Sequence, residues 1–204
     1  YAQAHREEPK ALYQETIDKT ISFLKKELYA PEGGFYAALD ADSLNVNQKL
    51  VEGAFYVWTK NEIQELFQKE YLQVAAYYAI NDYGYWEEGN YVLRRMQTDE
   101  VYAKLHGLEL SELKVKVIRW NATLLKERNK RTRPRLDDKI ICSWNAILSS
   151  GFLDAYRSFG DSAYKDLALK NLAFIEANFV DEEGELKRIS KKGVNKIDAF
   201  LEDY

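Results

Sequence analysis

From Pro9 onward, apolar residues return every three to five positions, and Leu12, Ile17, Ile21, Leu24 and Leu28 mark one face of a long helix. Ala30-Pro31 ends it, and Glu32-Gly33-Gly34 supplies a turn. The period then changes. Short aromatic runs over 35–43 and 53–59 flank a polar interval, which predicts two strands of a β-hairpin projecting from a helical body. Thr59 with Glu62 three residues on reads as a capping box, and Ile63, Leu66 and Phe67 give the buried face of the helix it opens. Another aromatic helix is expected over 71–80. A turn-rich loop holding Trp86, Glu87 and Glu88 follows at 81–90, and 91–93 is a short extended piece. Helices are expected over 99–105 and from 111 to about 128, the second with Ser111 as N-cap and Leu113, Val117, Trp120 and Leu124 inward.

Trp144, Leu148, Phe152, Ala155 and Phe159 mark the next helix, and Asp161 opens one with Ala168, Leu172, Ile175 and Phe179 inward. An acidic-Gly turn at 181–184 follows, and 199–204 begins a last helix. Placed over one another without a gap, the segments from Tyr13 and Tyr164 match. Lys19 meets Lys170, Phe23 meets Phe174, Glu32 meets Glu183 and Gly33 meets Gly184. Each copy is a helix closed by an acidic-Gly turn and an extended segment, which suggests stacked helical hairpins in a single domain spanning 1–204.

The richest stretch is 133–148, Arg-Pro-Arg-Leu-Asp-Asp-Lys-Ile-Ile-Cys-Ser-Trp-Asn-Ala-Ile-Leu. Pro134 disfavours helix at Arg133, so a loop leads into a helix, and Asp137 and Asp138 fall just before or within its first turn, where negative charge is favoured. One reading makes one Asp a helix cap with Lys139 neutralising the other. The second puts both carboxylates and Trp144 at the mouth of a pocket. Asp40 and Asp42 flank an alanine, and on an extended strand both would face one side about 7 Å apart. Carboxylates so placed suit acid–base work on sugars or a charged hairpin edge equally. Glu202 and Asp203 look like a pair with one member aimed inward.

Composition narrows the classes. Aromatic residues make up 14% of the 204 residues, with 15 Tyr and 4 Trp, which suits stacking on sugars and suits an amphipathic helical core as well. A net charge of −4 argues against nucleic acid as the main partner. The local exception, Lys126, Arg128, Lys130, Arg131, Arg133 and Arg135, is expected to be a solvated face at a helix C-terminus. Cys142 is the lone cysteine, and His5 and His106 have no ligand spacing, so no disulfide within the chain, metal site or cofactor is expected. No run of about 18 apolar residues is present, so no membrane-spanning helix is expected. Beginning at Tyr1 and ending within a helix-like pattern, the chain reads as a piece of a longer protein, with a cytoplasmic location expected.

Four motifs carry a resemblance. They are Gly33-Gly34-Phe35-Tyr36-Ala37-Ala38-Leu39-Asp40-Ala41-Asp42-Ser43 with Phe55-Tyr56-Val57-Trp58-Thr59, then Arg135-Leu136-Asp137-Asp138-Lys139-Ile140, Ser143-Trp144-Asn145 and Phe200-Leu201-Glu202-Asp203-Tyr204. In these the chain resembles the uncharacterised thioredoxin-domain-containing proteins of the spermatogenesis-associated type, found in bacteria and animals. The resemblance implies an N-terminal thioredoxin-like domain, absent from this chain, and an all-α (α/α)6 barrel of six hairpins, of which this chain is a central fragment with a small β-hairpin inserted. Such barrels are similar to six-hairpin glycosidases and to the N-acylglucosamine 2-epimerase group, in which loops at one end form the cleft. A carbohydrate-active or carbohydrate-binding protein is therefore expected, with a sugar or glycan as ligand. Asp42 and Asp138, then Asp40 and Asp137, are the candidate catalytic carboxylates. Trp58 and Trp144 are candidate stacking platforms, and Asn145, Lys139, Arg135 and Glu202 candidate substrate contacts. Two alternatives stand beside it: a non-catalytic scaffold serving the thioredoxin-like domain, and a sugar epimerase or isomerase, which needs a histidine other than His5 and His106.

Overall fold

The computed structural model describes residues 1–195 and 197–204. Its helices are α1 (Ala2–Glu7), α2 (Ala11–Glu27), α3 (Lys60–Phe67), α4 (Tyr71–Tyr77), α5 (Asp99–Leu105), α6 (Leu110–Arg128), α7 (Cys142–Phe159) and α8 (Ser162–Phe179). The strands are short: β1 (Ala38–Leu39), β2 (Asp42–Leu44), β3 (Leu50–Glu52), β4 (Trp58–Thr59), β5 (Asn90–Tyr91), β6 (Leu136–Asp137), β7 (Ile140–Ile141), β8 (Ile189–Lys191) and β9 (Val194–Asn195). Helices dominate and the sheets are minor, so the fold is all-α in class. The chain forms two compact units, one made of 1–40 with 136–204, the other of 41–135.

In the first unit α7 and α8 form a hairpin, turned at Gly160 and restarted by Asp161, whose carboxylate accepts from the Ala163 N–H at 2.9 Å. Phe152 and Ala155 of α7, Tyr164 and Ala168 of α8, Ile21 of α2 and Phe35 share one core, and the Tyr164 hydroxyl donates to Asp18 of α2. Cys142 lies in a second cluster with Ala30, Ile140, Phe174 and Phe179, a buried residue at the start of α7.

The repeat, its copies offset by 151 residues, extends to the backbone. Tyr29 bridges Phe35 as Val180 bridges Leu186. The Ala30 N–H donates to the Gly34 carbonyl, and the Asp181 N–H to the Glu185 carbonyl. The Tyr36 N–H returns to the Leu28 carbonyl as the Lys187 N–H returns to that of Phe179. Gly33 and Gly184 hold φ of +117° and +83°, a region L side chains avoid, and this is why both turns carry glycine. The correspondence reaches further back than Tyr13: Tyr1-Ala2-Gln3-Ala4-His5-Arg6 falls on Phe152-Leu153-Asp154-Ala155-Tyr156-Arg157, so α1 matches the last turns of α7.

The segment 136–142 ties the two copies together. Its first half pairs antiparallel with β1, Ala38 facing Asp137 and Leu39 facing Leu136. Its second half pairs with β8, Ile140 facing Ser190 and Ile141 facing Ile189. The Ala37 N–H reaches the Lys139 carbonyl at 2.7 Å and the Cys142 N–H that of Arg188 at 2.9 Å.

The second unit is built around aromatic rings. Tyr77 lies edge-on to Tyr78, Tyr102 and Trp120, with ring centroids 4.8, 5.1 and 5.7 Å away. Ile63, Phe67, Val74, Leu113 and Leu124 fill in around them. Their hydroxyls leave the core for polar partners: Tyr77 donates to Asp99, Tyr78 to Asn121 and Tyr102 to the Gln73 carbonyl. Burial pushes all three phenol pKa values up, with Asp99 adding to the effect at Tyr77. Gly84 is required by close approach, since a Cβ there would stand 1.9 Å from the Ala79 carbonyl oxygen.

Several expectations needed correction. The β-hairpin pairs β2 with β3 around Asn45, whose side chain accepts from the N–H groups of Asn47 and Lys49; β4 instead pairs with β5. The reason is the turn at 53–57, which redirects the chain before Trp58. Helix α6 starts at Leu110 with Glu109 as its extended N-cap, which places Ser111 inside the helix. Asp137 and Asp138 precede the helix altogether, because the β-branched pair Ile140-Ile141 is taken by strand pairing and α7 begins only at Cys142. The last expected helix is a single 3-10 turn, Leu201–Asp203.

Candidate functional site

Of the stretch 133–148, the residues Ile141, Trp144, Asn145, Ile147 and Leu148 border a hollow in the first unit. Leu24, Leu28, Phe35, Tyr36, Ala37, Ile141, Trp144, Asn145, Ile147 and Leu148 line a space of about 340 Å³. Trp144 opens α7 with its side chain half exposed, as a stacking surface requires. Tyr36 stands on the same wall. Burial raises its phenol pKa, and the carboxylates of Glu32 and Asp138 push it the same way.

The carboxylates themselves are engaged. Asp137 takes the Lys139 ammonium at 3.1 Å and its backbone N–H at 3.3 Å. Asp138 takes Lys191 at 2.7 Å, and that hydrogen bond, with the charges of Lys191 and Lys192, holds its carboxyl below the usual carboxylate range. Neither caps a helix. Asp40 is exposed at the end of β1, Ala41 bends the chain, and Asp42 opens β2 in the second unit, facing Glu52 across the hairpin. The expected pair on one strand face is therefore broken by that bend. Arg135 is exposed just ahead of β6.

Three further candidates have structural work. Trp58 is buried, 3% exposed, with the Arg131 guanidinium 4.1 Å from its ring, so it has no open face for a sugar. Asn145 is also buried. Its amide accepts from the Phe35 N–H at 2.8 Å and donates to the carbonyls of Phe35 at 3.1 Å and Ile141 at 2.9 Å, clasping the 35–37 segment to α7. Glu202 lies exposed in an ion pair with Arg188 at 2.5 Å.

Residues outside the candidate site list carry much of the local order. Asp203 is the inward member of its pair: its buried carboxylate accepts from the N–H groups of Ser143 and Phe200 and pairs with Arg188 at 2.9 Å. Burial alone would raise its pKa, but the Phe200 and Ser143 bonds and Arg188 outweigh it and hold the group below the usual range. Arg188 also stacks on Phe200 at 4.4 Å. Asn171 donates to the Asn145 carbonyl and to Ser149, locking α8 to α7. In the second unit Arg131 donates to the carbonyls of Ala54, Phe55 and Val57 and pairs with Glu62 at 2.9 Å, while Arg128 and Arg133 stack on Phe55. The basic run is thus partly an internal clamp on the 54–58 turn and only partly a solvated face. Its one legible signal is the coincidence of several arginines with an aromatic-rich turn.

Among the described residues no cluster of three or more His, Cys, Asp or Glu could hold a metal ion, and no helix is long and apolar enough to cross a membrane.

No family model matches the chain. Over 206 residues, 85% of this chain and 27% of the relative, it is 37% identical to an uncharacterised protein of Caenorhabditis elegans. Along its whole length it is 26% identical to spermatogenesis-associated protein 20 of Homo sapiens and 27% identical to that of Mus musculus, covering 30% of each. These matches support kinship with proteins of the spermatogenesis-associated type, here from animals. The chain spans less than a third of the length of these relatives.

Proposed function

We propose that this chain is a non-catalytic helical scaffold within a longer polypeptide, its acidic motifs bracing loops instead of turning over a sugar. The observation that carries the reading is the pairing of the central motif, Asp137 with Lys139 and Asp138 with Lys191. A carboxylate that must protonate a leaving group needs a raised pKa, and Asp138 is shifted the other way. Kinship with the spermatogenesis-associated proteins supports the finer reading, in which this is a single-domain fragment of a six-hairpin (α/α)6 barrel serving a thioredoxin-like domain elsewhere in the same polypeptide.

A second reading is favoured by one observation, the half-exposed Trp144 ring on the 340 Å³ hollow that Tyr36 also lines. In it a sugar ring stacks on Trp144, and Asp138, held ionised by Lys191, acts as base or nucleophile while another carboxylate supplies the proton. A glycan panel assayed with the longer protein separates the two. The scaffold reading expects no release of reducing sugar and a lowered Tm for Asp138→Asn. Turnover that Asp138→Asn abolishes without moving Tm would overturn it.

A further inference from the structure

Helix α6 of the second unit carries two apolar stripes, where a helix on the surface of a domain needs one. Leu113, Val117, Trp120 and Leu124 face the core of that unit, Leu113 and Trp120 with no exposed surface at all. Val115, Ile118, Ala122 and Leu125 form the second stripe, at intervals of three, four and three. At 3.6 residues per turn the two stripes lie about 150° apart. All four residues of the second stripe are exposed with the rest of the chain in place, Val115 by 69% and Ile118 by 70%. Single exposed apolar residues are ordinary on a surface, but four in line at this alternating interval make the seam of a coiled coil.

The charges along the seam decide what fits it. Lys114 and Lys126 stand on either side, each about 60° round the helix from the centre of the stripe. Among the described residues neither makes an ion pair; the charge nearest in effect to Lys114 is Glu100 of α5, whose carboxyl it helps to hold down. Arg119, beyond Lys126 on the same side, is engaged by Glu70 at 2.5 Å, and Glu112, the flanking carboxylate, by Lys116 at 3.6 Å. The seam is therefore edged by two unpaired ammonium groups. A second copy laid on this face would set cation beside cation, which disfavours self-pairing. Helices that lie on lipid present Trp, Phe and Leu, and this stripe holds no ring. Ala122 at its middle instead leaves room for a side chain of a facing helix to enter.

We propose that this face of α6 docks an acidic amphipathic α-helix of a partner protein. The partner's apolar residues, at the same alternating interval, cover Val115, Ile118, Ala122 and Leu125, and its edges carry Glu or Asp against Lys114 and Lys126. From Val115 to Leu125 the seam is about 15 Å long, so about three turns of the partner are engaged. Ser111 and Asn129 occupy the next positions of the series and end the apolar run at both sides. Opposite charge along the edges sets the choice of partner and makes the association sensitive to salt. The proposal uses no residue of the acidic motifs, so its failure would leave the scaffold reading where it stands.

The test titrates the 204-residue chain into a fluorescent synthetic peptide of three heptads, with Leu at the seam positions and Glu at the flanking ones, beside a twin that carries Lys for Glu. The Glu peptide is expected to bind, and its twin to bind about tenfold more weakly or less. Ile118→Asp should weaken binding of the Glu peptide about tenfold or more, and Lys126→Glu about threefold. Both positions are exposed, so both variants should keep the parent Tm, measured in parallel. No binding of the Glu peptide, equal affinity for its twin, or binding untouched by Ile118→Asp would overturn the proposal. So would dimerisation of the chain that Ile118→Asp abolishes, which would assign the face to a second copy. Adsorption to phosphatidylserine vesicles that Ile118→Asp abolishes would overturn it in favour of a lipid surface.

Discussion

The first unit closes its paired turns with the backbone, and the second adds to its principal turn a clamp from one side chain. Around Gly33 and Gly184 the same N–H to carbonyl pattern is drawn twice on different sequences, Gly-Phe-Tyr in one copy and Glu-Leu-Lys in the other. Around 54–58 the Tyr56 and Val57 N–H groups close on the Gly53 carbonyl, and Arg131 adds to this by gathering three carbonyls and Glu62 beneath its guanidinium while its face covers Trp58. A main-chain device survives substitution as long as its glycine stays. A side-chain device rests on one residue type, because only arginine combines a planar face with enough donors in a fixed fork.

The contrast can be broken most severely at that cation. Arg131→Ala should cost about 4 kcal/mol in urea unfolding, since it strands three carbonyls and Glu62, and Arg131→Lys should recover less than half of it. Next come the two glycines placed by close approach. Gly84→Ala forces a Cβ against the backbone oxygen of Ala79 and is expected to cost about 3 kcal/mol, whereas Gly34→Ala meets the Phe174 ring, which can yield, at about 2 kcal/mol. Equal costs at the two positions would remove the distinction between backbone and side-chain obstruction.

Acid should act through the first unit, which holds the depressed carboxyls of Asp138, Asp181 and Asp203, against Glu100 in the second. A carboxyl whose folded pKa is lowered contributes stability above its unfolded value, about 3.9 for Asp, and loses it as pH falls through the folded value. Asp203→Asn is expected to cost about 1–2 kcal/mol at neutral pH and to flatten the stability–pH curve below about pH 4. A curve with the same acid slope as the parent would show that Asp203 does not carry the effect. The smallest change is expected at Trp144→Ala, about 0.5 kcal/mol in this chain because its ring is already half in water. A loss above about 2 kcal/mol would show that the ring is a core residue of the isolated chain.

What the sequence revealed follows what each element depends on. The long helices were legible because most of their inward residues repeat at helical spacing, although Leu172, expected inward on α8, is exposed and α1 was not read; the Thr59–Glu62 box and the Asp161 cap were legible because each is local, formed within three residues. The strand partners were not. Trp58 pairs with Tyr91 and Ala38 with Asp137, and two-residue strands carry too little alternation to announce partners so distant in the chain. At the candidate site, burial gave several motif residues surroundings that the sequence did not show. Asn145 and Trp58 look like ligand-facing polar and aromatic residues, and become a clasp and a core ring only once Phe35 and Arg131 are placed against them. Glu202 and Asp203 were separable only by the turn of a 3-10 helix, which sends one outward and the other beneath the start of α7.

The strap at 136–142 also sets an order of events during synthesis. Residues 41–135 are contiguous, so the second unit has all of its own parts once Arg135 has left the ribosome. The first unit does not: β1 waits about 100 residues for β6, and β7 waits about 50 more for β8, separations that slow folding steeply. Through that interval the nascent chain carries an unmatched strand edge at Ala38 and an uncovered α2, the state in which chains aggregate or recruit chaperones. A chain cut between Cys142 and Ile189 keeps the pairing of the strap with β1 and loses that with β8, so the strap is then held by one copy of the repeat only.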